Sequence, residues 1–98
     1  MELFKMAKEA MAMRSKISEM DKKLKAHIID VEYKEVKIRI NAKNEFLSLN
    51  ISQDLLNEKK ENIEKVILGA FEEARKKAQS VMSEEAKRIT GGMKIPGL

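Results

Sequence analysis

The stretch "HIIDVEYKEVKIRINAKNEFLSLNI", residues 27–51, decides the fold. Apolar and polar residues alternate in three short runs, at 27–33, 35–41 and 45–51, and this period of two is typical of strands with one buried and one solvated face. The apolar residues of the three runs are Ile29, Val31 and Tyr33, then Val36, Ile38 and Ile40, then Leu47, Leu49 and Ile51.

The numbering of these residues predicts how the strands pair. Pairing Tyr33 with Val36 across a two-residue loop, and Ile40 with Leu47 across the next, places all three apolar sets on one face. The interpretation is a three-stranded antiparallel meander. The first loop, Lys34-Glu35, fits this poorly, because tight hairpins favour Gly or Asn at positive φ.

Helical spacing flanks this sheet on both sides. In the first 27 residues an alternating three- and four-residue spacing predicts one helix, about 2–26, with a heptad seam of Leu3, Met6, Ala10, Met13, Ile17, Met20, Leu24 and His27. A second helix is predicted at about 57–90, with Asn57 as N-cap and Gly91 just past its end. Its apolar stripe comprises Ile63, Val66, Ile67, Ala70, Phe71, Ala74, Ala78, Val81, Met82 and Ile89.

The chain ends in "TGGMKIPGL", residues 90–98, which is apolar and breaks the helix. One interpretation is that the two glycines end the helix and residues 93–98 fold back as a strap over the surface. The alternative is an unstructured tail. The sequence leaves both open.

Composition limits the possible functions. The 98 residues suffice for one domain, 1–98, and contain no cysteine and one histidine. No stretch has the roughly 18–20 apolar residues that a membrane span needs, so we expect a cytoplasmic protein. The formal net charge of +4 permits a polyanionic partner without requiring one.

The sequence contains no pattern of residues that predicts a catalytic or a metal-binding site. His27 has no second His or Cys with which to form a site, so we interpret it as structural. The adjacent acidic pairs Glu72-Glu73 and Glu84-Glu85 point about 100° apart on a helix and are interpreted as a solvated face. We therefore expect no enzyme activity, metal ion or cofactor.

The two helices are too long for the sheet to cover. A 25-residue helix is about 37 Å long, whereas a seven-residue strand spans about 23 Å. Either the helix ends pair within the chain, or a second copy covers the remaining seams and a sheet edge. We favour a homodimer, with an interface expected to include Ile17, Met20, Leu24, Ile29 and Val31.

Basic residues cluster on the polar faces of both helices. Few aromatic residues accompany them, which disfavours recognition of single strands by stacking and favours phosphate contacts with duplex DNA. The candidate DNA-binding residues are Lys22, Lys23, Lys25, Arg75, Lys76, Lys77, Lys87 and Arg88, with Lys37 and Arg39 on the wet face of the sheet as weaker candidates.

Three stretches resemble the YbaB/EbfC family of bacterial nucleoid-associated proteins. They are "FKMAKEAMAMRSKISEMDKKL", "VKIRINAKNEFLSLNISQDLL" and "AFEEARKKAQSVMSEEAKRITGGMKIPGL", which together span nearly the whole chain. The resemblance implies an α+β fold of order α-β-β-β-α, a tweezer-like homodimer and DNA binding in the nucleoid. The family usually has a glycine-rich turn between its first two strands, whereas this chain has "VEYKEV".

The leading hypothesis is a dimeric nucleoid-associated protein that binds duplex DNA through phosphates and takes part in nucleoid organisation and gene regulation. The alternative is a protein-interaction module whose Met-rich helical seams bind a protein partner. An amphipathic helix lying on a membrane fits less well, because acidic residues are interspersed along both helices.

Overall fold

The computed structural model describes residues 2–90 and the side chains of residues 2–88. The elements are α1 (Glu2–Ala26), β1 (Ile28–Tyr33), β2 (Val36–Asn41), β3 (Phe46–Ile51), α2 (Gln53–Leu56) and α3 (Lys60–Thr90). The predicted α+β class and α-β-β-β-α order are confirmed, with α2 as an additional single turn. The predicted strap at 93–98 and the helix end at Gly91 lie outside the described residues.

The first hairpin forms in the predicted register. Tyr33 pairs with Val36, and the sheet has the order β1-β2-β3 with antiparallel neighbours. The turn residues Lys34 and Glu35 both have positive φ, 39° and 72°. The chain therefore adopts the backbone of a glycine-type hairpin turn without a glycine, at a steric cost.

In the second hairpin the predicted pairs of Val36 with Ile51 and of Ile38 with Leu49 are confirmed, but the predicted pairing of Ile40 with Leu47 is wrong. Ile40 pairs with Phe46, and an irregularity next to Arg39 shifts the register by one residue. The cause is the β2–β3 turn, where Asn41 Oδ1 accepts hydrogen bonds from the backbone N–H groups of Lys43 and Glu45, each at 3.0 Å. This closed turn ends at Glu45, so β3 starts with Phe46 in the inward position.

The connector before α3 also differs from the prediction. Ser52 caps α2, because its hydroxyl oxygen accepts a hydrogen bond of 3.2 Å from the backbone N–H of Leu55. Asn57 is consequently the C-cap of α2 and not the N-cap of the long helix, which begins at Lys60. Leu55 is buried and anchors this turn on the core.

The main core lies between α3 and the inner face of β1 and β2. Ala70, Ala74 and Ala78 are fully buried along one side of α3. Since four-residue spacing places them on one face, their small side chains let the helix approach the sheet closely. The space beneath α3 is filled by three side chains of β2, Val36, Ile38 and Ile40. These are the residues that the alternating pattern placed on the apolar face of the sheet.

A second, smaller core joins the end of α1 to the end of α3. Met20 and Leu24 are buried here with Ala42, against Val81 and Met82 of α3. In the described part of the chain, the two helices therefore pair near the C-terminal ends of both.

The β2–β3 turn holds this end of α1 in place. The backbone N–H of Ala42 donates to the carbonyl oxygens of Leu24 and His27, at 3.1 and 3.0 Å. The molecule measures 69 Å along its long axis, although α3 alone spans about 46 Å. The N-terminal part of α1 accordingly extends beyond the end of α3.

The expectation that Glu85 lies on a solvated face is wrong. The residue is buried, with 8 % of its surface exposed. Its carboxylate lies 3.2 Å from Arg88 Nη1 and 4.0 Å from His27 Nδ1. Glu85 falls on the buried stripe because it is seven residues beyond Ala78, which is two helical turns.

Candidate nucleic-acid interface

The basic cluster at the end of α1 is exposed. Lys22, Lys23 and Lys25 all face solvent, and Lys23 Nζ lies 3.6 Å from a carboxylate oxygen of Glu19. No carboxylate of the described residues lies within ion-pair distance of Lys22 or Lys25. Both are therefore free to contact an anion.

A neighbouring ion pair fixes this end of α1 to the sheet. Lys43 Nζ lies 2.8 Å from Asp21 Oδ1. The hydrogen bond lowers the pKa of Asp21 and raises that of Lys43. The pair holds the helix end, and with it Lys22 and Lys25, in a defined position next to the β2–β3 turn.

The cluster midway along α3 divides into two kinds of side chain. Arg75 donates two hydrogen bonds to Glu72, of 2.7 Å from Nη2 and 3.3 Å from Nε. This contact lowers the pKa of Glu72 and raises that of Arg75. Lys76 and Lys77 are exposed, and neither has a carboxylate within ion-pair distance in the described part of the chain.

The third cluster lies near the end of α3 and is divided in the same way. Arg88 is held 3.2 Å from the buried Glu85, whereas Lys87 is exposed. Eleven residues make slightly more than three helical turns, so Lys87 lies on nearly the same face as Lys76, about 16 Å further along the axis. The fold thus places these two lysines in one row on the outer surface of α3.

The outer face of the sheet is less suited to bind an anion. Arg39 donates two hydrogen bonds to Asp30, of 2.8 and 3.3 Å, and this pairing lowers the pKa of Asp30. Lys37 is exposed but lies directly across from Glu32 in the register. A shallow groove on this face is lined by Asp30, Glu32, Lys37, Arg39, Ser48 and Asn50, so its charges are balanced.

The residues expected at the dimer interface have different environments. Met20, Leu24 and Val31 are buried within the chain, and Ile29 is half-buried between the two cores. Only Ile17, with 43 % of its surface exposed, presents a substantial apolar area. The prediction of a dimer through this set stays a prediction, and four of its five residues already have partners.

Other apolar side chains, which the sequence analysis did not single out as an interface, are exposed instead. Phe46, Leu47 and Leu49 of β3 are 46–49 % exposed, since α3 lies mainly across β1 and β2 and meets β3 through the edge-to-face contact of Phe71 with Phe46. A sequence signal existed for this, because a three-stranded meander leaves its third strand at an edge.

Within the described residues, neither long helix is apolar over enough of its length to cross a membrane. The same part of the chain holds no group of three His, Cys, Asp or Glu side chains arranged to bind a metal ion.

The chain is similar in sequence to several named bacterial proteins. A protein of Afipia carboxidovorans named as nucleoid-associated is 36 % identical over 95 % of this chain and 91 % of its own length. Another, of Pelotomaculum thermopropionicum, is 45 % identical over 64 % of this chain and 61 % of its own length. In Beijerinckia indica a third is 34 % identical over 91 % of both chains.

A solved structure shares the fold. The crystal structure of uncharacterized protein HP0035 from Helicobacter pylori superimposes with a TM-score of 0.77, covering 87 % of this chain and 92 % of that one at 20 % identity. The family model described as the YbaB/EbfC DNA-binding family matches residues 1–93. With its two long helices joined by a three-stranded sheet, the chain belongs to the YbaB/EbfC DNA-binding family.

Proposed function

We propose that this protein is a homodimeric nucleoid-associated protein that binds duplex DNA through phosphate contacts and does not act as an enzyme. The observation that carries the proposal is a set of exposed lysines on the two long helices that have no carboxylate within ion-pair distance in the described part of the chain: Lys22, Lys25, Lys76, Lys77 and Lys87. Family membership supplies the class of ligand.

Phosphate contact fits the surface better than base recognition does. Phe46 and Phe71 pack against each other, and Tyr33 lies against α3, so these rings are not offered for stacking on bases. Phe4 of α1 is exposed, but a single ring provides no series of stacking sites. Lysine ammonium groups contact phosphates as point charges and carry little sequence information. The expected mode is binding at many sites, which suits a role in nucleoid organisation with effects on gene expression.

The proposed dimer forms along β3. This strand pairs with β2 on one side, and its other edge has no partner in the described chain. The half-exposed Phe46, Leu47 and Leu49 lie along it, whereas the outward side chains of β1 include the charged Asp30 and Glu32. A second copy pairing at β3 would cover these apolar groups and would double the formal net charge of +4.

A protein-interaction module is the second candidate. The observation that favours it is the N-terminal part of α1, where Leu3, Phe4, Met6 and Met11 are 66–83 % exposed. Methionine-rich surfaces adapt to several partners. Under this hypothesis the lysines only increase solubility, and DNA binding is absent.

The test is a titration of unrelated duplexes at two salt concentrations. Each phosphate contact contributes about −0.9 to the slope of log K against log salt. Replacing Lys76 and Lys77 by Gln should weaken binding to every duplex and flatten this slope, while Lys59→Gln with Lys60→Gln serves as a control that removes the same charge elsewhere. Wild-type protein that binds no duplex at low ionic strength would overturn the DNA proposal and favour the protein-interaction module.

Dimerisation is tested separately by sedimentation without DNA. Leu49→Lys places a charge at the β3 edge and should remove the dimer formed there. Leu68→Lys, at a more exposed leucine on the outer side of α3, should not. Retention of that dimer by Leu49→Lys would contradict the β3 interface.

A further inference from the structure

The N-terminal part of α1, residues 2–17, is a projecting apolar arm, and we call it the α1 arm. Its seam residues Leu3, Met6 and Ile17 are 83, 66 and 43 % exposed. The same seam continues into Met20 and Leu24, which α3 covers. The described part of the chain thus covers one end of a continuous heptad seam and leaves the rest exposed to solvent, apart from the half-buried Met13.

The flank beside this seam carries an ordered set of charges. In a heptad that starts with Leu3 at position a, the g positions are Glu2, Glu9, Lys16 and Lys23. The two acidic residues precede the two basic ones at seven-residue spacing. Glu2, Glu9 and Lys16 have no oppositely charged side chain within ion-pair distance among the described residues, and Lys23 has only an exposed contact with Glu19.

When two copies of this helix run antiparallel, the acidic g positions of one copy lie opposite the basic g positions of the other. We propose that the α1 arm pairs with the α1 arm of a second copy, antiparallel, at a contact separate from β3. Met6 then lies opposite the partner's Ile17, and Ala10 opposite the partner's Met13. In antiparallel coiled coils g positions face g positions, so Glu9 meets the partner's Lys16. Leu3 and Glu2 come level with the partner's Met20 and Lys23, where α3 covers the seam, so the proposed contact comprises residues 6–17. Twofold symmetry repeats each pair.

The register follows from the charges. If the partner is shifted by one heptad so that the N-terminal halves of the two arms overlap, Leu3 lies opposite the partner's Met13. This shift also places Glu9 against the partner's Glu9. Like charges at this distance repel. The proposed register is the one in which every g position meets its opposite charge.

The orientation follows from the shape of the molecule. A parallel pair would bring both α3 helices and both sheets to the same end, where α3 already covers the seam at Met20 and Leu24. An antiparallel pair places the two bodies at opposite ends and joins the exposed parts of the seam. The lysines at heptad positions b and f, Lys8, Lys22 and Lys25, point away from the contact.

The contact itself does not depend on DNA binding. Together with an interface at β3 it would link dimers into larger assemblies, each keeping its outward lysines free. That such assemblies hold two duplexes together rests on the proposed function.

The decisive experiment is a charge exchange followed by sedimentation without DNA. Glu9→Lys and Lys16→Glu each turn two attractive contacts into repulsive ones and should weaken this association roughly tenfold. The double variant Glu9→Lys/Lys16→Glu restores opposite charges and should restore it. A mixture of the two single variants should associate with each other more strongly than either does with itself. Lys8→Glu, which makes the same charge change outside the contact, is the matched control.

Two outcomes would overturn the proposal. One is a set of single variants that associate as strongly as wild type, and the other is a double variant that fails to recover. Circular dichroism checks that each variant remains folded, which is expected because residues 9 and 16 are exposed. Loss of association in Leu49→Lys but not in Lys16→Glu would leave the β3 dimer standing and reject the arm contact, so failures of the two proposals are distinguishable.

Crosslinking tests the orientation, because the natural chain has no cysteine. A mixture of Met6→Cys and Ile17→Cys chains should form a mixed disulfide, since an antiparallel pair brings these positions together. Crosslinking of Met6→Cys to itself, without the mixed product, would indicate a parallel pair and overturn the proposed register.

Discussion

Tyr33 of β1 lies with its ring against Gly69 of α3. A methyl carbon added to Gly69 would be 2.7 Å from Tyr33 Cε1 and 2.8 Å from the hydroxyl oxygen. Glycine in the interior of a helix costs about 1 kcal/mol relative to alanine. The close approach of the ring explains why the helix contains glycine at this position.

This contact predicts a coupling between the two residues. Gly69→Ala alone should fail to stabilise the protein, because the ring must move away and lose its packing. In a Tyr33→Val background the same change should stabilise the fold by about 1 kcal/mol, through helix propensity. Urea unfolding of the four proteins gives the coupling energy. Additive effects of the two substitutions would show that the contact does not constrain position 69.

The β1–β2 turn predicts a stabilising substitution. Glu35 has φ of 72°, a conformation that costs a residue other than glycine about 1 kcal/mol. Glu35→Gly should therefore raise the free energy of unfolding by about that amount and increase Tm by several degrees. Glu32→Gly, the same exchange within β1, should destabilise the sheet. A lower Tm for Glu35→Gly would contradict the strain inferred at this turn.

The Glu72–Arg75 contact predicts a gain in DNA affinity. Glu72→Gln removes the partner that holds Arg75 and should strengthen binding to duplex DNA at low salt. Glu73→Gln is the control, because it changes the net charge equally and Glu73 makes no ion pair within 4 Å in the described chain. The gain from Glu72→Gln should exceed that of the control, and in an Arg75→Gln background it should fall to the gain of the control. Equal gains would mean that charge alone acts.

The Asp21–Lys43 contact predicts a stability difference that depends on pH. The pKa of Asp21 is lowered in the folded state by the hydrogen bond from Lys43. The contact therefore stabilises the fold above the unfolded pKa of 3.8 and is lost as the pH falls through the lower folded pKa. Asp21→Asn should be slightly less stable than wild type at neutral pH, and the difference should disappear at acid pH, once the Asp21 carboxyl is protonated in the folded state.

Urea midpoints at the two pH values measure this difference for Asp21→Asn. In a Lys43→Met background the substitution should have no effect at either pH. A difference from wild type that persists at acid pH would assign it to some contact other than this ion pair.

Structural features that depend on residues close together in the sequence were predictable, whereas features that depend on side-chain contacts in the folded chain were not. Pairing of Tyr33 with Val36 follows from the spacing of neighbouring apolar residues, so it was predictable. Pairing of Ile40 with Phe46 was not, because it depends on how the Asn41 side chain bonds the turn. The basic clusters were visible in the sequence, and their role in DNA binding stays a prediction. Which of their side chains are held by a carboxylate became visible only in the folded chain.

The sequence by itself determined the element order, the inner face of the first hairpin and the stripe on α3, because these depend on periods of two and of 3.6 residues. Only the tertiary structure decided that α3 covers Met20 and Leu24 while the described part of the chain leaves the α1 arm exposed. The reason is that the apolar seam in the sequence shows which face of a helix is to be buried, but not which element buries it. The length and position of α3 along that seam decide how much of it is buried within the chain.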